Sequence, residues 1–119
     1  MIRLIASVFV LVLLALPATA SEKFTQAGFA KAQAAGQPIL VHVTAPWCPT
    51  CKAQAPVVSL LEKERADLKV FLVDFDSQKD VLRDFRVSSQ STLIAFDGRT
   101  EKARSAGETD PVKIRALLR

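Results

Sequence analysis

Hydrophobic and polar positions along this chain change period several times, and each change marks a predicted element. Leu4 to Leu16 is an almost wholly apolar run. Residues 25–35 (TQAGFAKAQAA) are alanine-rich and favour a helix, with Thr25 as N-cap and Gly36 as the stop. Pro38 forbids helical continuation, and Ile39 to Thr44 is a short apolar run suited to a buried strand. From Lys52 to Ala66, apolar Ala55, Val58 and Leu61 oppose a charged face, which predicts a helix kinked at Pro56. Leu68 to Phe75 predicts a second strand. Ser77 and Asp80 have the spacing of a capping box opening a short helix to about Phe85. Thr92 to Phe96 predicts a third strand, Asp97-Gly98 a hairpin turn, and Lys102 to Ser105 its partner. Gly107 precedes Asp110-Pro111, an N-cap with proline at the first helical position, and a last helix is expected to reach Arg119.

That order gives a parallel crossover followed by an antiparallel hairpin. It predicts an α/β domain with a mixed central sheet flanked by helices on both faces. The 119 residues fit one domain. Arg3 is the only charge before Glu22, and Pro17 with Ala18-Thr19-Ala20 ends the apolar run in the small-residue pattern of a cleavage site. Residues 1–20 therefore read as a cleaved signal peptide and 21–119 as the folded domain. The run is shorter than the roughly 20 residues of a membrane-spanning helix. A retained anchor is the alternative, and no stable membrane insertion is expected after cleavage. Export, with a bacterial periplasm as the compartment, follows from this reading.

Without Arg3, 15 basic and 12 acidic side chains remain. The bases are dispersed: Lys63 and Arg65 flank Glu64, and Arg83 and Arg86 flank Asp84. This is a mixed solvated surface, with no nucleic-acid stripe. Phe71, Phe75, Phe85 and Phe96 fit core packing. Asp74 and Asp76 read as charges at the edge of a loop.

The chemistry lies in Trp47-Cys48-Pro49-Thr50-Cys51-Lys52, which holds the only two cysteines. An exported protein can keep such a pair oxidised. A bridge over so short a loop removes little chain entropy, which makes it a poor structural staple and favours redox chemistry. A helix beginning at Cys48 places that thiol over unpaired backbone N–H groups and the positive end of the helix dipole, which favour the thiolate. Pro49 suits the first turn. Cys51, one turn on, faces inward. Cys48 is thus expected to attack and Cys51 to resolve a mixed disulfide.

With Ala45-Pro46 before this motif, Pro56 in the helix, Thr92-Leu93-Ile94-Ala95-Phe96-Asp97-Gly98 downstream and Gly107 before the last helix, residues 22–119 resemble the thioredoxin family. The resemblance implies a thioredoxin fold and disulfide oxidoreductase activity, a Cys48–Cys51 redox disulfide and no bound organic cofactor or metal. Trp47, Pro49 and Thr50, with Gln90, Ser91 and Thr92 on the facing loop, correspond to the substrate-binding surface.

Three positions depart from the family pattern. Ser91 stands where thioredoxins carry a cis-proline, and a trans Gln90–Ser91 bond is expected, since a non-proline cis bond costs about 2.5–4 kcal/mol. A hydroxyl there is positioned to hydrogen-bond a thiolate or to join a metal site. His42, the only histidine, occupies the position of a buried acid, and Leu72 falls near that of the acid's lysine partner. A neutral imidazole at 42 is expected to relay the Cys51 proton; the plainer alternative is an imidazole hydrogen-bonded inside the sheet. Lys52 reads as a solvated helix residue.

The expected activity is thiol–disulfide exchange with cysteine-containing protein substrates by an exported monomer recycled by a redox partner. Potentials of such pairs run from about −270 mV in reductants to about −120 mV in oxidants. Pro49-Thr50 brings no charge beside Cys48, and a small domain without an inserted helical subdomain fits a reductase better than a strong oxidant. Two other classes remain open: a metal or iron–sulfur protein using Cys48 and Cys51 with Ser91, and a non-catalytic binding module.

Overall fold

The computed structural model of the chain describes residues 21–119; the signal-peptide expectation over residues 1–20 lies outside the described residues. The elements run β1 (Glu22–Lys23), α1 (Gln26–Ala34), β2 (Pro38–Thr44), α2 (Pro49–Glu64), β3 (Lys69–Asp74), α3 (Lys79–Asp84), β4 (Thr92–Asp97), β5 (Thr100–Ala106) and α4 (Pro111–Ala116). The sheet order is β1-β3-β2-β4-β5. β1, β3 and β2 are parallel, and β4 and β5 run antiparallel to their neighbours.

β2 lies at the centre because Ile39 to Val43 are apolar or neutral on both faces and all are buried. Alternation then sends its side chains two ways. Ile39, Val41 and Val43 enter a cluster with Phe24, Phe29, Phe71, Val81, Leu82, Ile94 and Phe96, covered by α1 and α3. Leu40 enters the other, with Val58, Leu61, Val70, Leu93, Ala95 and Ile114, covered by α2 and α4. His42 shares the parity of Leu40 and so faces α2, which carries the cysteines.

The caps follow local chemistry. The Thr25 side chain accepts the Gly28 N–H at 3.0 Å, and that of Asp110 accepts the Val112 N–H at 2.8 Å. α2 is unbroken across Pro56. The capping box at Ser77 does not form. Asp74 Oδ1 takes the Asp76 and Ser77 N–H groups at 2.8 and 3.1 Å, and α3 starts two residues later with Gln78 at its N-cap. The Asp74 carboxylate thus takes the Ser77 N–H that a capping box would have given to the Asp80 side chain. Ala55 is exposed, and Gln54 takes the buried place on α2 that the sequence pattern assigned to it. The last helix ends at Ala116, short of Arg119.

Candidate active site

Ala45, Pro46 and Trp47 carry the chain from the end of β2 over the sheet edge, where the Cys48 N–H donates to the Ala45 carbonyl at 3.1 Å. Cys48 is the N-cap of α2 with extended backbone, and Pro49 opens the helix. Proline fits there because its missing N–H would have no partner. The Cys48 Sγ accepts the Cys51 N–H at 3.1 Å, so an orphan donor of the first turn points at that sulfur. Cys48 and Cys51 are joined as a disulfide with Cα atoms 5.3 Å apart. Both are buried, at 1% and 4% exposure, so the oxidised pair is shielded at Cys48 as much as at Cys51. What distinguishes the two sulfurs is their surroundings: Cys48 meets the helix N-terminus, and Cys51 lies 3.8 Å from the Val43 carbonyl oxygen.

Trp47 is 55% exposed beside Cys48, and Pro49 is exposed as well, with Thr50 half-buried. The indole stands edge-on to Phe75 with centroids 6.4 Å apart, and its Nε1 donates to Asp76 Oδ2 at 2.9 Å. Lys79 Nζ sits 4.5 Å from the centroid of the Phe75 ring. Asp76 is therefore more than a charge at a loop edge: it fixes the exposed tryptophan. Asp74, whose carboxylate is held below its usual range by hydrogen bonds from the Asp76 and Ser77 N–H groups, shapes the turn that presents Asp76. Lys52 is exposed.

On the facing loop, Ser91 adopts φ 57°, in the left-handed region, and the described residues contain no cis peptide bond. Three backbone contacts hold it there. Its N–H donates to Val43 O at 2.8 Å, and its carbonyl accepts from Gly107 N at 3.0 Å and from Gln54 Nε2 at 2.9 Å. The Ser91 hydroxyl donates to the Gln90 carbonyl at 2.6 Å, so its hydrogen is committed there and not to a cysteine sulfur. Thr92 is buried and its hydroxyl donates to Ser89 O at 2.8 Å; Gln90 is half-buried. The Val43 carbonyl thus brings the Ser91 N–H and the Cys51 sulfur to one point.

His42 is 2% exposed, flanked in the sheet by Leu72 and Leu93. Its Nε2 lies 2.9 Å from Gln54 Oε1, which is the hydrogen bond the imidazole makes here. Burial pushes its pKa down from the ordinary value, partly offset by the Gln54 hydrogen bond, so the ring is neutral near pH 7. Gln54 was not among the residues the sequence singled out. The spacing Cys51, Gln54, Val58, Leu61 along one helix face carries the signal, since it puts a carboxamide inside an apolar stripe. Among the described residues, no three His, Cys, Asp or Glu side chains converge as a metal-binding set, and no helix is long and apolar enough to cross a membrane.

The thioredoxin family model matches residues 20–119. The chain belongs to the thioredoxin family. It is 41% identical over 87 residues to a thioredoxin of Mycobacterium tuberculosis (strain H37Rv), covering 71% of this chain and 75% of that one. A thioredoxin of Chlamydia trachomatis is 36% identical over 94 residues, covering 79% of this chain and 91% of its own. Among solved structures, Trxlp from Edwardsiella tarda EIB202 superposes with a TM-score of 0.79 at 46% identity, covering 83% of this chain and 98% of that one. Thioredoxin O2 from Arabidopsis thaliana in its oxidised state gives 0.69 at 26% identity, covering 82% and 90%. The fold and the Cys48–Cys51 pair, with these relatives, make the protein a thioredoxin-like thiol:disulfide oxidoreductase.

Proposed function

We propose that this thioredoxin-like oxidoreductase works outside the cytosol, in a bacterial periplasm, as a monomeric disulfide reductase. The observation that carries the chemistry is Cys48 at the N-cap of α2 with the Cys51 N–H directed at its sulfur. That placement stabilises a Cys48 thiolate once the pair is reduced. The thiolate attacks a substrate disulfide, forming a bond from Cys48 to one substrate sulfur and expelling the other as a thiolate. Cys51 then loses its proton to the neutral His42 and attacks Cys48. This closes the Cys48–Cys51 disulfide and releases the second substrate thiolate, which takes up a proton. The substrate leaves with two electrons, and a dithiol partner restores the reduced pair. Exposed Trp47 and Pro49, with Thr50 and the Gln90–Thr92 loop, supply the surface on which the substrate chain lies.

Export rests on the leading segment: the apolar run to Leu16, Pro17, and Ala18-Thr19-Ala20, all but the last lying ahead of the family match that begins at residue 20. Residues 1–20 are read as removed and 21–119 as the working domain. The reductase direction rests on the small size of the domain, which carries no inserted helical subdomain among the described residues, while the uncharged Pro49-Thr50 dipeptide fits a potential between those of strong reductants and strong oxidants. Equilibrating the purified protein against glutathione buffers of graded ratio tests it. A two-electron transition nearer about −270 mV than about −120 mV supports the reductase. No exchange with either thiol or disulfide partners removes the reading.

A further inference from the structure

Gln54 is fully buried on a helix face it shares with Cys51, Val58 and Leu61. A carboxamide there has to place two N–H donors and one acceptor oxygen. Its Nε2 lies 2.9 Å from the Ser91 carbonyl and 2.9 Å from the Glu108 carbonyl. Carbonyl oxygens only accept, so both hydrogens of that nitrogen are committed and the orientation of the amide is fixed. Turning it over would set its oxygen against two other oxygens, leaving the part-buried Glu108 carbonyl without its amide donor and the Ser91 carbonyl with the Gly107 N–H alone. The remaining atom, Oε1, lies 2.9 Å from His42 Nε2 and accepts there, which requires the imidazole hydrogen to sit on Nε2.

We infer that Gln54 is a positioning residue that locks neutral His42 in its Nε2–H tautomer, making Nδ1 its one basic nitrogen, while tying the Ser91 loop to α2. The same amide joins two parts of the site that the chain separates widely. Through Ser91 it reaches back to the Val43 carbonyl, which receives the Ser91 N–H at 2.8 Å and lies 3.8 Å from the Cys51 sulfur. Imidazole, loop and Cys51 are therefore linked in one open chain of contacts, from His42 through Gln54 and Ser91 to the Val43 carbonyl beside the Cys51 sulfur, and among the described residues Gln54 is the side chain hydrogen-bonded to both the imidazole and the loop. A substrate pressing on the Ser91 loop pulls on the residue that sets the protonation pattern of the base. The mechanistic meaning of this rests on the exchange reading given above, whereas the tautomer assignment does not.

The test is the two-bond proton–nitrogen correlation spectrum of the single imidazole in the nitrogen-15-labelled full chain, oxidised, near neutral pH. Protonated Nε2 and bare Nδ1 are expected. An Nδ1–H tautomer, or a charged ring, overturns the inference without any variant being needed. Gln54→Met keeps the length of the side chain and removes its donors and acceptor. It is expected to mix the two tautomers and to slow release of a reporter thiol from a Cys48 mixed disulfide by about tenfold, the worth of one typical buried hydrogen bond. A Gln54→Met protein with unchanged tautomer and unchanged release overturns the positioning role. If the wild-type protein exchanges no disulfide at all, the exchange reading fails instead, and the spectrum still decides the tautomer.

Discussion

Trp47 and Asp76 lie 29 residues apart and meet at the rim of the redox pair, where the indole N–H donates to the carboxylate at 2.9 Å. Because Trp47 is also the only tryptophan, the contact can be watched directly. Asp76→Ala is expected to change the intensity and position of the emission. Stability should fall by less than about 1 kcal/mol, since the pair is exposed. An unchanged spectrum would show that the bond does not hold the ring in solution.

Replacing either cysteine should give unlike products. In Cys51→Ser, the Cys48 thiolate still attacks but nothing resolves it, so a covalent adduct with a disulfide substrate accumulates and turnover is lost. Cys48→Ser is expected to form no adduct. Mass spectrometry of the two variants after mixing with substrate separates these outcomes. Equal trapping by both would contradict the assigned order of attack.

Acid should expose His42. Its folded pKa lies below the ordinary value of about 6.5, so the unfolded chain binds the proton more readily. The sign follows from linkage: full stability is present above about pH 6.5 and is lost as pH falls below it toward the lowered folded value. Asp74 is also lowered, but from the carboxylate range, so its loss falls in a separate window below about pH 4. Denaturant unfolding at a series of pH values should show a slope opening below about pH 6.5 that His42→Phe abolishes. A slope that survives the substitution would assign it elsewhere.

Gly107 holds φ 76° while its N–H donates to the Ser91 carbonyl. A Cβ added there meets nothing within 4 Å, so Gly107→Ala costs dihedral strain and no clash. The expected loss is about 1 kcal/mol, or about 5 °C in a domain of this size. Thermal unfolding measures it. No loss would mean that the loop re-forms with another backbone conformation.

Most of this architecture was legible because β2, β3 and β4 are short apolar runs bounded by turn residues and the caps at Thr25 and Asp110 use their own side chains. β1 was not. Its two exposed residues carry no period of their own and become a strand only by pairing with Phe71 and Leu72. The Ser77 capping box had the right spacing, but the competing Asp74 carboxylate becomes a rival only once β3 ends where it does. At the site, the Cys48–Cys51 pair and the replacement of proline by Ser91 stand out in the sequence. The left-handed backbone of Ser91 does not, since Val43, Gly107 and Gln54 impose it from three other segments. Gln54 was hidden by assigning Ala55 to the apolar stripe, one residue out of phase.

The alternation along β2 also partitions the molecule into two rooms. Beneath α1 and α3, Phe24, Phe29, Phe71, Phe85 and Phe96 stack edge to face in a chamber dominated by aromatic rings. Across the sheet, His42 and Gln54 lie on the side covered by α2, the helix that carries Cys51. Substitutions among the phenylalanines are therefore expected to retune melting behaviour while the His42–Gln54 contact stays as it is. A single-residue insertion early in β2 would do the reverse of what its size suggests: it would drive the imidazole into the aromatic room and deliver a valine to the sulfur.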